Sequence, residues 1–184
     1  MNHFKFMLLL FIVFSASAFA INPQLKKMMT IGNEDHDDYL FFRIKSAVMA
    51  DDGSIFIGDL RGAFVSKFDK NGKFIKRVGK RGKGPGDFVM PKGLQIYGDK
   101  IFIQDTMNQR IAYADLDLNN FKYYRLPLFK HKTVDFGSKL MDSFRIIDQG
   151  RFLIISSSRK SSRYSCFSVN SELHVKDAYF DLPC

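Results

Sequence analysis

The sequence has no tryptophan, two cysteines, five prolines and four histidines among 184 residues. Two cysteines cannot build the disulfide framework that holds small secreted folds together, so a packed core must do that work. Cys166 and Cys184, the last residue, either close one bridge in an oxidising compartment or stay free, and geometry decides between the two. Beyond the leader the histidines are His36, His131 and His174. They are scattered, with no His-x-x-x-His pair, which removes the usual zinc spacings. There is no Gly-x-Ser-x-Gly elbow, and no histidine is placed by sequence beside Ser156-Ser157-Ser158, so a serine nucleophile is not indicated. No apolar run reaches the roughly 20 residues of a membrane span. No segment after the leader shows a long helical period.

What is present begins with that leader. Lys5 precedes a wholly apolar run from Phe6 to Phe14, about half a span in length. Small residues follow, ending in Ala18-Phe19-Ala20. This order of basic start, short apolar stretch and A-x-A site predicts a secretory signal peptide over 1–20, cut after Ala20, with an uncleaved anchor as the alternative. No cysteine lies near the site, so a lipid anchor is not suggested. The product would have 164 residues, enough for one domain with a core. It would carry no transmembrane span.

Lysine and arginine number 28 against 19 acids, a net charge of +9, which falls to +8 without the leader. A basic balance points to anionic partners. Export makes nucleic acid an unexpected one. Anionic glycans, lipid headgroups and cell-wall polymers fit better, with plain solubility as the bland explanation. Twenty phenylalanines suit β packing without naming a ligand.

The chain repeats. Asp51-Asp52-Gly53-Ser54-Ile55-Phe56-Ile57-Gly58-Asp59 reappears forty-six residues on as Tyr97-Gly98-Asp99-Lys100-Ile101-Phe102-Ile103-Gln104-Asp105. Asp59 maps to Asp105, Gly62 to Asn108 and Asp69 to Asp115. Glycine and asparagine both tolerate a left-handed backbone, so positions 62 and 108 are expected to turn the chain with positive φ. A third copy, with an insertion, runs from Phe144 to Ile155. Ile55-Phe56-Ile57, Ile101-Phe102-Ile103 and Phe152-Leu153-Ile154-Ile155 are apolar on both faces, as buried inner strands would be. The strands after them, Phe64 to Asp69 and Arg110 to Asp115, are mixed and read as outer strands. Lys70-Asn71-Gly72-Lys73 predicts a tight hairpin with two positive-φ positions.

Between the first two copies lie Gly82-x-Gly84-Pro85-Gly86-Asp87-Phe88 and Pro91-x-Gly93, and the end of the second copy opens Asp105-x-x-Asn108-x-Arg110-Ile111. No Gly-Lys-Ser/Thr opens a helix after the glycines, so a P-loop is not indicated. The run resembles an NHL repeat, the blade unit of a family of mostly six-bladed β-propellers. The resemblance implies an all-β fold of four-stranded antiparallel blades, about three of them: 40–78, 92–126 and 140–180. That spacing suits a propeller blade, for which roughly 40–50 residues is usual. Leu25 to Ile31, within the N-terminal segment 21–39, reads as a lone strand, which in such propellers commonly completes the last blade. Three blades imply either a C-terminally truncated propeller or a half-ring that must pair. Open blade edges are an aggregation liability, which favours truncation, and self-association through those edges is an expectation.

A fold of this kind is nearly silent about activity. The expectation is a secreted or periplasmic, non-catalytic binding or scaffold module for a protein, peptide or anionic extracellular polymer. Lys76, Arg77, Lys80, Arg81 and Lys83 form the densest basic cluster, either an anion-binding rim or a solvated loop between blades. The candidate ligand-binding residues are Lys80, Arg81, Lys83, Arg61 and Arg110. A second basic group, Arg159, Lys160 and Arg163, lacks a stacking platform. The alternative is a metal-dependent propeller hydrolase or lyase with its site in the central channel. Such lyases use histidines around zinc, and the three here do not map onto that set. Propeller lactonases use inner acids. Asp59 and Asp105 end inner strands but read first as turn caps. Glu34-Asp35-His36-Asp37-Asp38 offers oxygen ligands without EF-hand spacing and reads as a solvated acidic linker. No catalytic residue, metal or cofactor is expected.

Overall fold

The computed structural model describes residues 26–32, 35–125, 130–131, 134–135, 140–148, 151–158, 163–170 and 175–183. The leader, Leu25, Glu34, Arg159, Lys160, His174 and Cys184 lie outside them, and with Cys184 the bridge to Cys166.

Alternating apolar segments punctuated by Asp, Asn and Gly dictate strands and tight turns, and the described residues hold fourteen strands. β1 (Ile44–Met49), β2 (Ile55–Asp59), β3 (Phe64–Phe68) and β4 (Phe74–Val78) form one sheet in chain order. The second holds β5 (Pro91–Tyr97), β6 (Lys100–Asp105), β7 (Arg110–Asp115) and β8 (Lys122–Arg125). A two-stranded pair follows, β9 (Lys130–His131) and β10 (Val134–Asp135). The third sheet is β11 (Leu140–Asp148), β12 (Arg151–Ser158), β13 (Arg163–Val169) and β14 (Val175–Pro183). Every pairing is antiparallel between neighbours in sequence. Three meandering four-stranded sheets are the blades of a partial β-propeller.

The innermost strands stand side by side and are tied by side chains. The Leu94 N–H donates to Ser46 Oγ at 3.0 Å. The Gln95 amide donates to the Phe144 carbonyl and accepts from the Ile146 N–H. The core between the first two sheets comprises Phe56, Val65, Phe88, Leu94, Ile101, Ile103 and Ala112. The doubly apolar strands β2 and β6 are second in their sheets, not innermost. Their mixed neighbours are buried as well: all five residues of β3 are, Lys67 included. Lys67 reaches across the interface to Asp117 at 2.8 Å. Its charge ends near solvent, so the strand can carry a lysine inside the stack.

Val65 and Lys67 face the second sheet; by strand alternation Phe64 and Ser66 face away from it. The N-terminal segment covers that far face. Tyr39 and Phe41 pack on Phe64, Phe68 and Phe74. The acidic stretch forms a 3-10 turn, Asp37–Tyr39, with His36 Nδ1 accepting from the Asp38 N–H. Residues 26–32 pair with no strand among the described residues. Met29 and Ile31 instead lie over Gly72, in the β3–β4 turn.

Two turns depart from expectation in the same instructive way. The left-handed residues after β2 and β6 are Ala63 (φ 59°) and Gln109 (φ 50°), each one place beyond Gly62 and Asn108. The repeat holds, since both copies shift together. Gly62 is needed instead for closeness: a Cβ there would lie 2.2 Å from the Phe64 ring. In the β3–β4 turn only Gly72 (φ 81°) is left-handed, while Asn71 is not. Asp69 organises that turn, accepting from the Asn71 and Lys73 N–H groups, both at 2.8 Å. Its counterpart Asp115 accepts from Asp117 and Asn119, and the Asn119 bond holds its carboxyl below the usual range. Where Gly72 stands in the first turn, the second has Leu118 at φ 55°, with its side chain in the interface core. Left-handed leucine costs about 1–2 kcal/mol, an amount that its burial, about 1.5–3 kcal/mol, offsets.

A prediction follows from the shifted turn. Gln109→Gly should be neutral or stabilising by up to about 1 kcal/mol. Gln109→Val should lose about 1–2 kcal/mol, because a β-branched residue resists positive φ. Urea unfolding of both variants measures this, and equal stabilities would contradict the turn geometry.

Candidate functional site

The loop joining the first two sheets, residues 79–90, is the structural form of the glycine-rich motif. Gly79 has φ 103°, and a Cβ on it would lie 2.8 Å from the Ala63 carbonyl oxygen and 2.6 Å from the Phe88 ring, so only glycine fits. The loop then folds back on itself. Gly82 N–H donates to the Phe88 carbonyl (2.9 Å) and Phe88 N–H to the Lys80 carbonyl (3.0 Å). Phe88 is fully buried and anchors the turn in the core.

Residues from β6 to β8 hold the loop from below. Asn108 Nδ2 donates to the Gly82 carbonyl at 2.9 Å. Arg110 donates through Nη1 to Lys83 (2.9 Å) and through Nη2 to Asp87 (2.6 Å), both carbonyls. Its guanidinium lies 4.0 Å over the Tyr123 ring. The Tyr123 hydroxyl accepts from Gly86 N–H and donates to the Gly84 carbonyl. Beneath these, Asp105 is fully buried. One carboxylate oxygen accepts from the Val89 and Met90 N–H groups, the other from Asn108 Nδ2 (2.6 Å) and Arg110 Nε (3.0 Å). The three separated pieces of the sequence motif are thus one hydrogen-bonded unit. The part played by Arg110 is to clamp the loop; its donors are engaged and it is 5% exposed.

The first sheet builds the same device with its parts exchanged. Asp59, also fully buried, accepts from the Phe42, Arg43 and Gly62 N–H groups. Phe64 stands where the second sheet has Arg110, and Arg77 where it has Tyr123, each forty-six residues earlier. The Arg77 guanidinium lies 4.0 Å over the Phe64 ring. It donates to the carbonyls of Asp37, Asp38 and Leu40, holding the chain as it enters β1. Sequence reasoning placed Arg77 in a basic cluster and missed this role. The signal was there in register: a cation and an aromatic swap places between strands. Asp59 spends its whole carboxylate on loop N–H groups and Asp105 one of its two oxygens, as turn caps do.

With the backbone tied down, the loop turns its cations outward. Lys80, Arg81 and Lys83 are exposed, as is Arg61 on the β2–β3 turn. Arg81 Nη2 lies 3.5 Å from the Arg61 carbonyl, which brings the two turns together. Among the described residues none of these four pairs with an acid. Lys76 lies apart, bound to Asp117 and Leu118 carbonyls and to Asn119. The expected ligand set therefore resolves into four open cations, Arg61, Lys80, Arg81 and Lys83, and one clamp, Arg110.

Solved structures share the fold at low identity. A protein of Bacteroides fragilis NCTC 9343, described as exported, aligns with TM-score 0.61 and 18% identity over 79% of this chain and 40% of its own. A protein of unknown function from Bacteroides caccae gives 0.54 and 11% over 72% and 47%. A chain of the nidogen/laminin complex gives 0.52 and 14% over 75% and 48%. This chain spans less than half the length of each. No curated protein matches it by sequence. No helix among the described residues is long and apolar enough to cross a membrane. The four-stranded antiparallel sheets agree with the family model that matches residues 27–180, and the chain belongs to that family, the 6-bladed beta-propellers.

Proposed function

We propose that this chain is part of an exported, NHL-type propeller that binds an anionic extracellular polymer without catalysis. Export rests on the 1–20 leader, with Ile21 as the first residue after cleavage. Binding rests on one observation: Arg61, Lys80, Arg81 and Lys83 project from a backbone that Asn108, Arg110 and Tyr123 hold in place. A rigid loop presents its cations with less ordering cost on binding than a flexible one. Four cations on adjoining turns, none paired with an acid among the described residues, attract a repeating anion and few neutral partners. Self-association belongs to the same reading, since Ile44 and Met49 on the innermost strand are 50% and 70% exposed.

Retention on immobilised dextran sulfate tests the reading. Replacing the four rim cations by glutamine should lower affinity about tenfold or more at low salt and flatten its salt dependence. An equal-charge control at exposed Lys70, Lys73, Lys100 and Lys122 should bind nearly as the parent does. Equal losses in the two variants would show that net charge, and not the rim, does the binding.

A further inference from the structure

We propose that the inner edge of the first two blades binds a compact dianion, a phosphate group or a short dicarboxylate, at Lys45 and Lys92. The innermost strands β1, β5 and β11 are each broken by a β-bulge at the same level. It falls between Ile44 and Ser46 in β1, between Pro91 and Gly93 in β5, and between Met141 and Ser143 in β11. Ile44 pairs with Asp59 and Pro91 with Asp105, so the first two bulges sit at equivalent places in the repeat. A bulge leaves one residue without a cross-strand partner and can re-aim its side chain. The bulged residues are Lys45, Lys92 and Asp142. Each strand is the inner edge of its sheet, turned to the ring axis.

The backbone around the first two bulges is fixed. Arg43, exposed beside Lys45, gives its N–H to Asp59 and its carbonyl to the Leu60 N–H. The matching bond in the second sheet runs from the Thr106 N–H to the Met90 carbonyl at 3.1 Å, which sets Thr106 beside the start of β5. Thr106 is 5% exposed, and its hydroxyl has no hydrogen-bond partner among the described residues. Its counterpart forty-six residues earlier is Leu60, so the repeat itself does not call for a hydroxyl there. Buried polar groups are nearly always hydrogen-bonded, and an anion beside Lys92 would accept from this one. Lys45 is exposed and Lys92 half-buried. The bond from Leu94 to Ser46 joins their two strands directly, so both lysines belong to one stretch of wall. Lysine meets phosphate as a compact point charge. The acid at the third bulge repels an anion, which limits the site to the first two strands.

Amide-resolved NMR titration of the full chain with inorganic phosphate, and separately with succinate, reads the site. At low salt at least one of them should give saturable shifts at Lys45, Lys92 and Thr106, with a dissociation constant on the order of 1 mM. The anion that saturates identifies the group. Lys45→Met/Lys92→Met should weaken binding about tenfold. Lys70→Gln/Lys73→Gln, the same charge change at the opposite end of the first sheet, should not. Thr106→Val separates binding from folding. It removes a buried hydroxyl without a partner, so it should melt at or above the parent temperature yet bind about threefold to tenfold more weakly. No saturation with either anion would overturn the proposal, as would equal losses in the two lysine pairs or full affinity in Thr106→Val. Shifts confined to Arg61 and Lys80 to Lys83 would overturn it too, while leaving the rim in place.

Discussion

Asp105→Ala should cost about 3–5 kcal/mol of folding stability, the range for breaking a buried ion pair by removing one partner. The carboxylate is fully buried and the Arg110 side chain is 6% exposed, so the deletion strands a cation inside the protein. It also frees the Val89 and Met90 N–H groups and Asn108 Nδ2. Arg110 then loses the contact that aims it at the Lys83 and Asp87 carbonyls, and the loop above loosens. Asp59→Ala should cost less, because Asp59 accepts from three backbone N–H groups and leaves no ion-paired arginine behind. Urea unfolding followed by far-ultraviolet circular dichroism measures both. If Asp105→Ala is no worse than Asp59→Ala, the Asp105–Arg110 pair is not what holds the second sheet's entry loop.

The exchanged cation and ring give the second large effect. Arg110→Phe should lose about 3–5 kcal/mol, since it leaves buried Asp105 without its cation and unties two loop carbonyls. Tyr123→Arg alone should also destabilise, by removing the hydroxyl that bonds Gly84 and Gly86 and by crowding Arg110. The double variant rebuilds in the second sheet the arrangement the first sheet already uses, Phe64 under Arg77. It should therefore recover about 1–2 kcal/mol relative to the sum of the single losses, a coupling of the size found for residues in contact. A double-mutant cycle reads this directly. Strict additivity would mean that the two sheets' loop clamps are unrelated.

Much of this fold was legible because a propeller repeats itself. The forty-six-residue spacing of Asp59 and Asp105 located the strand ends, and the short apolar runs located the strands. The four-stranded sheets are what the resemblance to a propeller repeat implied. What the spacing could not give was the one-residue placement of the left-handed turn. Gly62 invites positive φ by its chemistry, yet ring packing against Phe64 claims it, and the turn passes to Ala63. Lys67 was unreadable as a buried residue because its partner, Asp117, lies in the next sheet, fifty residues away. The site was legible in composition and illegible in role. Arg110 and Lys80 look alike as basic residues of one motif. Only the hydrogen bonds separate the clamp from the open cation. The role of Arg77 escaped notice for the related reason that its equivalent in the second sheet is a tyrosine, so a search for matching residues passes over it. The aromatic contact between the second and third sheets was hidden too, since Phe102 and Phe152 meet only when two repeats stack.

The central claim is that a clamped loop presents a specific cationic rim. An amide-resolved NMR titration of the full chain with sucrose octasulfate, a small sulfated ligand, tests it most directly. Saturable shifts are expected at Arg61 and across Lys80 to Lys83, abolished when the four rim cations are replaced by glutamine. Shifts centred instead on the β5–β6 turn and the end of β11, or spread evenly over the surface lysines, would contradict it.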